Sequence, residues 1–182
     1  MKKTLKNILV TGGAGYIGSH VCKELHKKGY IPVTYDNLSR GNKHAVKWGA
    51  FEKGDILDKA NLLKVIKSHN IDAIIHLAAY IDVGESVKYP GKYYRNNTLG
   101  GLTIIEAMCE SDIKNIVFSS TAAVYGIPKT LPIVEDSPKE PINPYGFSKL
   151  VVEHMLADYA ISNDIKSVSF RYFNVAGADA DS

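Results

Sequence analysis

Apolar runs and amphipathic stretches alternate along this chain. Short apolar runs bounded by polar or glycine-rich punctuation occur at 7–11, 31–35, 50–53, 73–77, 115–119 and 167–171. Several are continuous, such as Ile8-Leu9-Val10 and Ile116-Val117-Phe118, as in strands buried on both faces of a parallel sheet. Between them, apolar positions recur at helical spacing over 15–28, 58–68, 92–110 and 144–163. Asp58 is suited to cap the second helix, because its carboxylate can accept from first-turn N–H groups. Gly29 is suited to follow the first helix as its C′ residue. This alternation predicts an α/β fold: a Rossmann-like doubly wound parallel sheet with helices on both faces and right-handed crossovers. The stretch 128–144 breaks the pattern with five prolines among charged residues. It is predicted to be a long loop without regular structure, a kind that often serves function.

Residues 1–182 read as a single domain with a substantial core. The net charge of +3 is small and the basic residues are scattered, which speaks against a nucleic-acid partner. No apolar stretch reaches about 18 residues, so no membrane-spanning helix is predicted. No leader pattern precedes the first strand. Cys22 and Cys109 are far from CxxC spacing and read as reduced thiols of a cytoplasmic protein. No His, Cys or carboxylate cluster has metal-ligand spacing. The last residues, Ala178-Asp179-Ala180-Asp181-Ser182, follow a strand without a closing helix, so the chain is expected to be the front part of a longer protein.

Composition leaves the chemistry open; the motifs narrow it. Thr11-Gly12-Gly13-Ala14-Gly15-Tyr16-Ile17-Gly18 follows the first strand and opens a helix. Gly12, Gly15 and Gly18 give GxxGxxG, while Gly13, Gly15 and Gly18 give GxGxxG. Such a turn brings backbone N–H groups against a pyrophosphate, and the helix dipole favours the negative charge. The same spacing also suits an ordinary loop. Asp36, 18 positions after Gly18, ends the second strand. A carboxylate there can accept from the adenosine ribose hydroxyls and repels a 2′-phosphate, so NAD is favoured over NADP. Arg40 nearby weakens this only slightly. Asp55-Ile56 follows the third strand, where an adenine pocket would lie. Tyr145 and Lys149 share one helix face, and an ammonium beside a phenol favours the phenolate, a general base. Ser119-Ser120-Thr121 comes just after the fifth strand, at the carboxyl end where a doubly wound sheet binds ligands. A hydroxyl from Ser120 or Thr121 can bond a substrate hydroxyl and relay its proton to Tyr145. His76 reads as a strand-end histidine satisfied by a neighbour.

In order, TGGAGYIGSH (11–20), DNLSRG (36–41), GDI (54–56), IIHLAA (74–79), VGES (83–86), YYRNN (93–97), FSSTAAVYG (118–126), NPYGFSK (143–149) and RYFNVAGAD (171–179) resemble the extended short-chain dehydrogenase/reductases. Within them the set is most similar to the UDP-glucose 4-epimerases, and the resemblance covers essentially the whole chain. It implies NAD as cofactor, with the C-terminal substrate-binding region largely absent from these residues. It implies epimerisation of a UDP-sugar at C4 through a transient 4-keto intermediate, with Tyr145 as base. Gly12, Gly15, Tyr16, Ile17 and Gly18 would lie at the pyrophosphate. Asp36, Asn37, Leu38 and Ser39 would hold the adenosine ribose, and Asp55 and Ile56 would border the adenine. Leu77, Ala78 and Ala79 would pass beneath the cofactor, with Asn96 and Ser119 close by. Thr121, Tyr145 and Lys149 would form the catalytic group, the last two also touching the cofactor and the first two the substrate. Tyr172, Phe173 and Asn174 would bridge the nicotinamide and sugar-nucleotide sites.

Position 121 is Thr where many relatives have Ser, which keeps the hydroxyl. Position 81 is Ile where many have Lys, which puts one phosphate or cofactor contact in doubt. Related dehydratases and decarboxylases place carboxylates where this chain has Ala122 and Ala123, so those reactions are disfavoured. A UDP-N-acetylglucosamine or UDP-glucuronate 4-epimerase stays open, because the sugar pocket would form largely downstream. A truncated, non-catalytic NAD-binding module is the other alternative, and little turnover is expected from these residues alone. The resemblance further implies a homodimer through helices 92–110 and 144–163; otherwise those faces pack only on their own sheet.

Overall fold

The computed structural model describes residues 6–179. Its elements are β1 (Asn7–Thr11), α1 (Tyr16–Lys27), β2 (Ile31–Asp36), β3 (Ala50–Lys53), α2 (Lys59–Ser68), β4 (Ala73–His76), α3 (Val83–Lys88), α4 (Pro90–Tyr93), α5 (Gly100–Glu110), β5 (Asn115–Thr121), α6 (Pro144–Asn163) and β6 (Lys166–Tyr172). The strands form one sheet in the order β3-β2-β1-β4-β5-β6, with every neighbouring pair parallel. The sheet is Rossmann-like. Alternate residues of β1 serve opposite faces. Leu9 joins a core with Leu62, Ile104, Met108 and Leu156, from α2, α5 and α6. Ile8 and Val10 pack with Cys22 of α1 on the other face. β6 is an edge strand, and Val168 and Phe170 on it are exposed.

Connectivity reverses between β1 and β4. The chain runs from β1 outward to β3, then returns to place β4 on the other side of β1. Such a switch point opens a crevice at the carboxyl ends of the strands, and register puts Thr11 opposite His76 at its base.

The six predicted strands are present, with ends moved by two residues at most. Asp58 caps α2, its Oδ1 accepting from the Asn61 N–H at 3.0 Å. Gly29 follows α1 at φ +82°. Residues 126–143 contain no helix or strand, as expected of the proline-rich stretch. The helix expected at 92–110 differs. It begins as α4 at Pro90, passes through a π-turn at Tyr94–Leu99, and resumes as α5. Asn97 turns its amide inward there, and a π-turn of this kind is frequent at functional sites. The short α3 was not anticipated; six residues including Gly84 carry too little periodicity. The expectation of no closing helix falls partly on Ala180-Asp181-Ser182, which lie outside the described residues. Among the described residues, no helix is long and apolar enough to cross a membrane.

Removing the cap with Asp58→Ala is expected to cost about 1 kcal/mol of stability. Denaturant unfolding reads this directly, and an unchanged midpoint would show that the cap contributes nothing.

Candidate active site

A cleft of about 760 Å³ opens at the switch point. One wall is the glycine turn. α1 starts from Gly15 with no side chain capping it and no acidic residue in its first turn. In contrast, α2, α3 and α6 are capped by Asp58, Asp82 and Asn143. The uncapped N–H groups of Tyr16, Ile17 and Gly18 therefore border the cleft as ready acceptors of negative charge. Two of its glycines leave no room for a side chain. A Cβ on Gly12 would stand 2.7 Å from the Ala78 nitrogen, and one on Gly18 would stand 2.2 Å from the Gly12 oxygen.

Asp36 closes the far end of this wall. It is only 8% exposed, and its carboxylate accepts from the backbone N–H groups of Ala14 at 3.1 Å and Leu38 at 2.8 Å. These bonds fix its orientation in the cleft lining beside Asn37 and Ser39. Ile56 lines the cleft from behind β3. Leu38 and Asp55, both expected at the site, are not in the lining. Leu38 sits at φ +62° in the turn. Asp55 acts behind the wall, accepting from Asn37 Nδ2 at 3.0 Å. Leu77, Ala78 and Ala79 form the floor, and Asn96 and Ser119 border it.

The opposite end gathers Thr121, Tyr145 and Lys149. Asn143 caps α6 by accepting from Gly146 N–H at 2.8 Å, which starts the helix one residue before Tyr145. A Cβ on Gly146 would stand 2.7 Å from the Ala123 oxygen, so α6 begins hard against the turn that follows β5. Thr121 accepts from Ala123 N–H at 3.1 Å through Oγ1, and its hydroxyl lies near enough to the Tyr145 phenol to favour the phenolate. Lys149 is 2% exposed, donates to the Ser119 carbonyl at 2.8 Å and lies over the Phe118 ring. Phe173 and Asn174 line the cleft's outer side and are exposed. Beyond them the chain folds back across α1, where Tyr16 Oη donates to the Gly177 carbonyl and Lys23 pairs with Asp179.

The electrostatics differ from the expectation of an ammonium lowering a phenol's pKa. Burial pushes the Tyr145 phenol up, and the Thr121 hydrogen bond pulls it only partly back. Burial also brings Lys149 down to about 7. Taking either charge out of water costs more here than the neighbouring groups return. The i,i+4 placement of Lys149 does not by itself offset the burial of the Tyr145 phenol.

Asn97 is a residue that motif reading passed over. It is 2% exposed, and its amide is fully engaged. Oδ1 accepts from the Tyr80 N–H at 2.9 Å and from Asn96 Nδ2 at 2.9 Å. Nδ2 donates to the Tyr80 carbonyl at 3.0 Å and to Ser148 Oγ at 3.1 Å. Ser148 Oγ in turn donates to the Tyr145 carbonyl at 2.7 Å. The cleft floor is thereby tied to the turn of α6 that carries Tyr145. The available signal was the polar pair Asn96-Asn97 inside an otherwise helical stretch.

Comparison with known proteins places the chain among relatives. Residues 8–182 match the model of the "NAD dependent epimerase/dehydratase family". The chain is 53% identical over 173 residues to a UDP-glucose 4-epimerase of Rhizobium meliloti, covering 95% of this chain and 53% of that protein. The fold superposes on a crystal structure of UDP-glucose 4-epimerase from Brucella ovis in complex with NAD, at TM-score 0.95 and 52% identity, over 97% of this chain and 54% of that one. A UDP-glucose 4-epimerase from Bifidobacterium longum in complex with NAD+ and UDP matches at TM-score 0.92 and 39% identity, over 97% and 56% of the two chains. The chain thus spans about half the length of the curated relatives it matches.

His76 is satisfied by a neighbour, as its position suggested. It is 2% exposed, hydrogen-bonded through Nδ1 to Thr11 Oγ1 at 2.7 Å and stacked on Phe118. Burial, and then the charge of Lys149, lowers its pKa from 6.5 to about 3. Between those values the unfolded imidazole holds a proton that the folded one does not. The stability His76 contributes is therefore complete above pH 6.5 and is lost as pH falls toward 3. Acid unfolding of His76→Asn is expected to be flatter than wild type across that window, by a few kcal/mol (about 1.4 per pKa unit). Parallel curves would refute a buried neutral imidazole.

Proposed function

The chain belongs to the NAD dependent epimerase/dehydratase family, and from that premise we propose that its cleft holds NAD and epimerises a UDP-sugar at C4, interconverting UDP-glucose and UDP-galactose. The observation that carries this reading is the convergence of an uncapped glycine turn, Asp36 and the Thr121–Tyr145–Lys149 group on one cleft. The lining fits a dinucleotide. The backbone N–H groups of Tyr16, Ile17 and Gly18 would take the pyrophosphate. Asp36 and Asn37 would hold the adenosine ribose, and Lys149 the nicotinamide ribose. When bound, NAD supplies a reversible hydride acceptor that is regenerated in each turnover.

The protein's own residues move the proton. Tyr145 takes it from the sugar 4-hydroxyl as hydride leaves C4, giving a 4-keto sugar. Thr121 would stand between the two, accepting from the sugar 4-hydroxyl as its own proton passes to the phenolate. The ketone turns over in the site, and Tyr145 returns the proton as hydride adds to the other face. Burial holds the phenol protonated in the protein alone, so added positive charge at the nicotinamide end is what would make it a base. Ala122 and Ala123 offer no second acid or base, which favours simple epimerisation over elimination or decarboxylation. Asn174 would contact the sugar nucleotide.

We also infer a homodimer that pairs α5 and α6 of two subunits. Ile105 and Leu150 of the proposed faces are buried within their own chain, but Leu99 and Phe147 remain exposed at the ends of the same helices. Sedimentation velocity is expected to show twice the monomer mass, which a charged residue at Phe147 would halve; monomer throughout would rule the pairing out.

In the full-length protein, Tyr145→Phe is expected to abolish conversion of UDP-galactose while NAD stays bound. Near-native turnover by that variant would remove Tyr145 from the role of base.

A further inference from the structure

Behind the cleft lies a polar cluster that the proposed chemistry does not use. Glu153 stands four residues beyond Lys149 and eight beyond Tyr145 on α6, so the three form one stripe along the helix. Its carboxylate is 10% exposed and takes Arg171 of β6 as a fork, with Nε at 3.0 Å from Oε1 and Nη2 at 2.6 Å from Oε2. It also accepts from Ser120 Oγ. The remaining arm of Arg171 donates to the Tyr125 hydroxyl at 2.7 Å and the Glu135 carbonyl at 3.0 Å. The guanidinium lies over the Tyr125 ring, 5.1 Å from its centroid.

The placement of this cluster relative to the cleft is what gives it meaning. Ser120 and Arg171 are cross-strand partners, and the next pair in register is Thr121 and Tyr172, which line the cleft. Thr121 caps the short turn Ala122–Tyr125, and Tyr125 is the far end of that turn. Arg171 therefore grips the turn at Tyr125, while Glu153 grips the strand just before Thr121. Both residues that present Thr121 are anchored to α6, the helix that presents Tyr145. A further link is Lys149 to the Ser119 carbonyl.

We propose that the Ser120–Glu153–Arg171 cluster is a positioning element that sets the distance between the Thr121 hydroxyl and the Tyr145 phenol. This rests on the reading of Tyr145 as base. Glu153 and Arg171 lie outside the cleft lining, which Ser120 borders; the pair acts by holding β5, β6, the turn after β5 and α6 in one register. A bidentate guanidinium–carboxylate pair suits such a role because its planar geometry fixes orientation as well as distance. The Thr121 hydrogen bond lowers the pKa of Tyr145, so its loss must raise it.

Ultraviolet titration of the NAD-bound protein, minus the Tyr145→Phe curve in the same background, isolates the Tyr145 phenol. Glu153→Gln keeps the shape and removes the charge; Arg171→Lys keeps the charge and removes the fork. Both are expected to raise the Tyr145 midpoint by about one pH unit, the worth of one hydrogen bond to a charged group, with NAD affinity unchanged. If Glu153→Gln does not fold, Arg171→Lys alone decides. Variants that unfold at lower temperature yet keep the wild-type midpoint would reduce the cluster to a structural clamp and overturn the proposal. A wild-type protein with no Tyr145 step below about pH 10 would overturn the reading of Tyr145 as base, and this proposal with it.

Discussion

Three segments of backbone meet at Gly12: the end of β1, the start of α1 and the segment leaving β4. They come so close that a Cβ on Gly12 would fall within 3 Å of Ala78 main-chain atoms. This contact lets the uncapped N-terminus of α1 face the crevice where the sheet order reverses. Gly18 extends the constraint into the helix, because a Cβ there would run into the Gly12 carbonyl. Asp36 extends it toward β2 through its bond to the Ala14 N–H. A side chain at Gly18 would push α1 off the glycine turn, and the phosphate-facing N–H groups would move with it; one at Gly12 would push the turn off the segment leaving β4.

At the other end of the cleft the governing term is desolvation. Thr121, Lys149, Ser148 and His76 are all buried, and burial is the largest cause acting on the pKa of Tyr145, Lys149 and His76. A neutral His76 stacked behind Phe118, with Lys149 over the same ring, gives a low-dielectric floor in which any added charge acts strongly. The site is thereby arranged so that its acid–base state depends on what binds beside it. That accords with the proposed epimerisation, in which charge would appear and disappear at the nicotinamide in each turnover.

The strands were legible because a parallel sheet buried on both faces leaves continuous apolar runs such as Ile8-Leu9-Val10. The glycine turn, Asp36 and the Tyr145–Lys149 pair were legible because each is a local pattern with a fixed spacing. The contacts that were not legible join distant residues. Asn97 bonds the Tyr80 peptide and Ser148, and Arg171 collects Glu153, Tyr125 and the Glu135 carbonyl. No periodicity announces such meetings. The π-turn at Tyr94–Leu99 hid for the same reason, since it is set by an amide turning inward and not by an apolar pattern. The lowered pKa of Lys149 depends on burial, a tertiary property that spacing alone does not reveal.

The glycine turn and Asp36 together make this cleft a site for NAD. Calorimetric titration of the protein with NAD and with NADP tests this most directly. Saturable one-to-one binding of NAD is predicted, with NADP weaker by about tenfold or more, or about 1.4 kcal/mol, because the Asp36 carboxylate repels a 2′-phosphate. No binding of NAD, or equal affinity for the two, would contradict it.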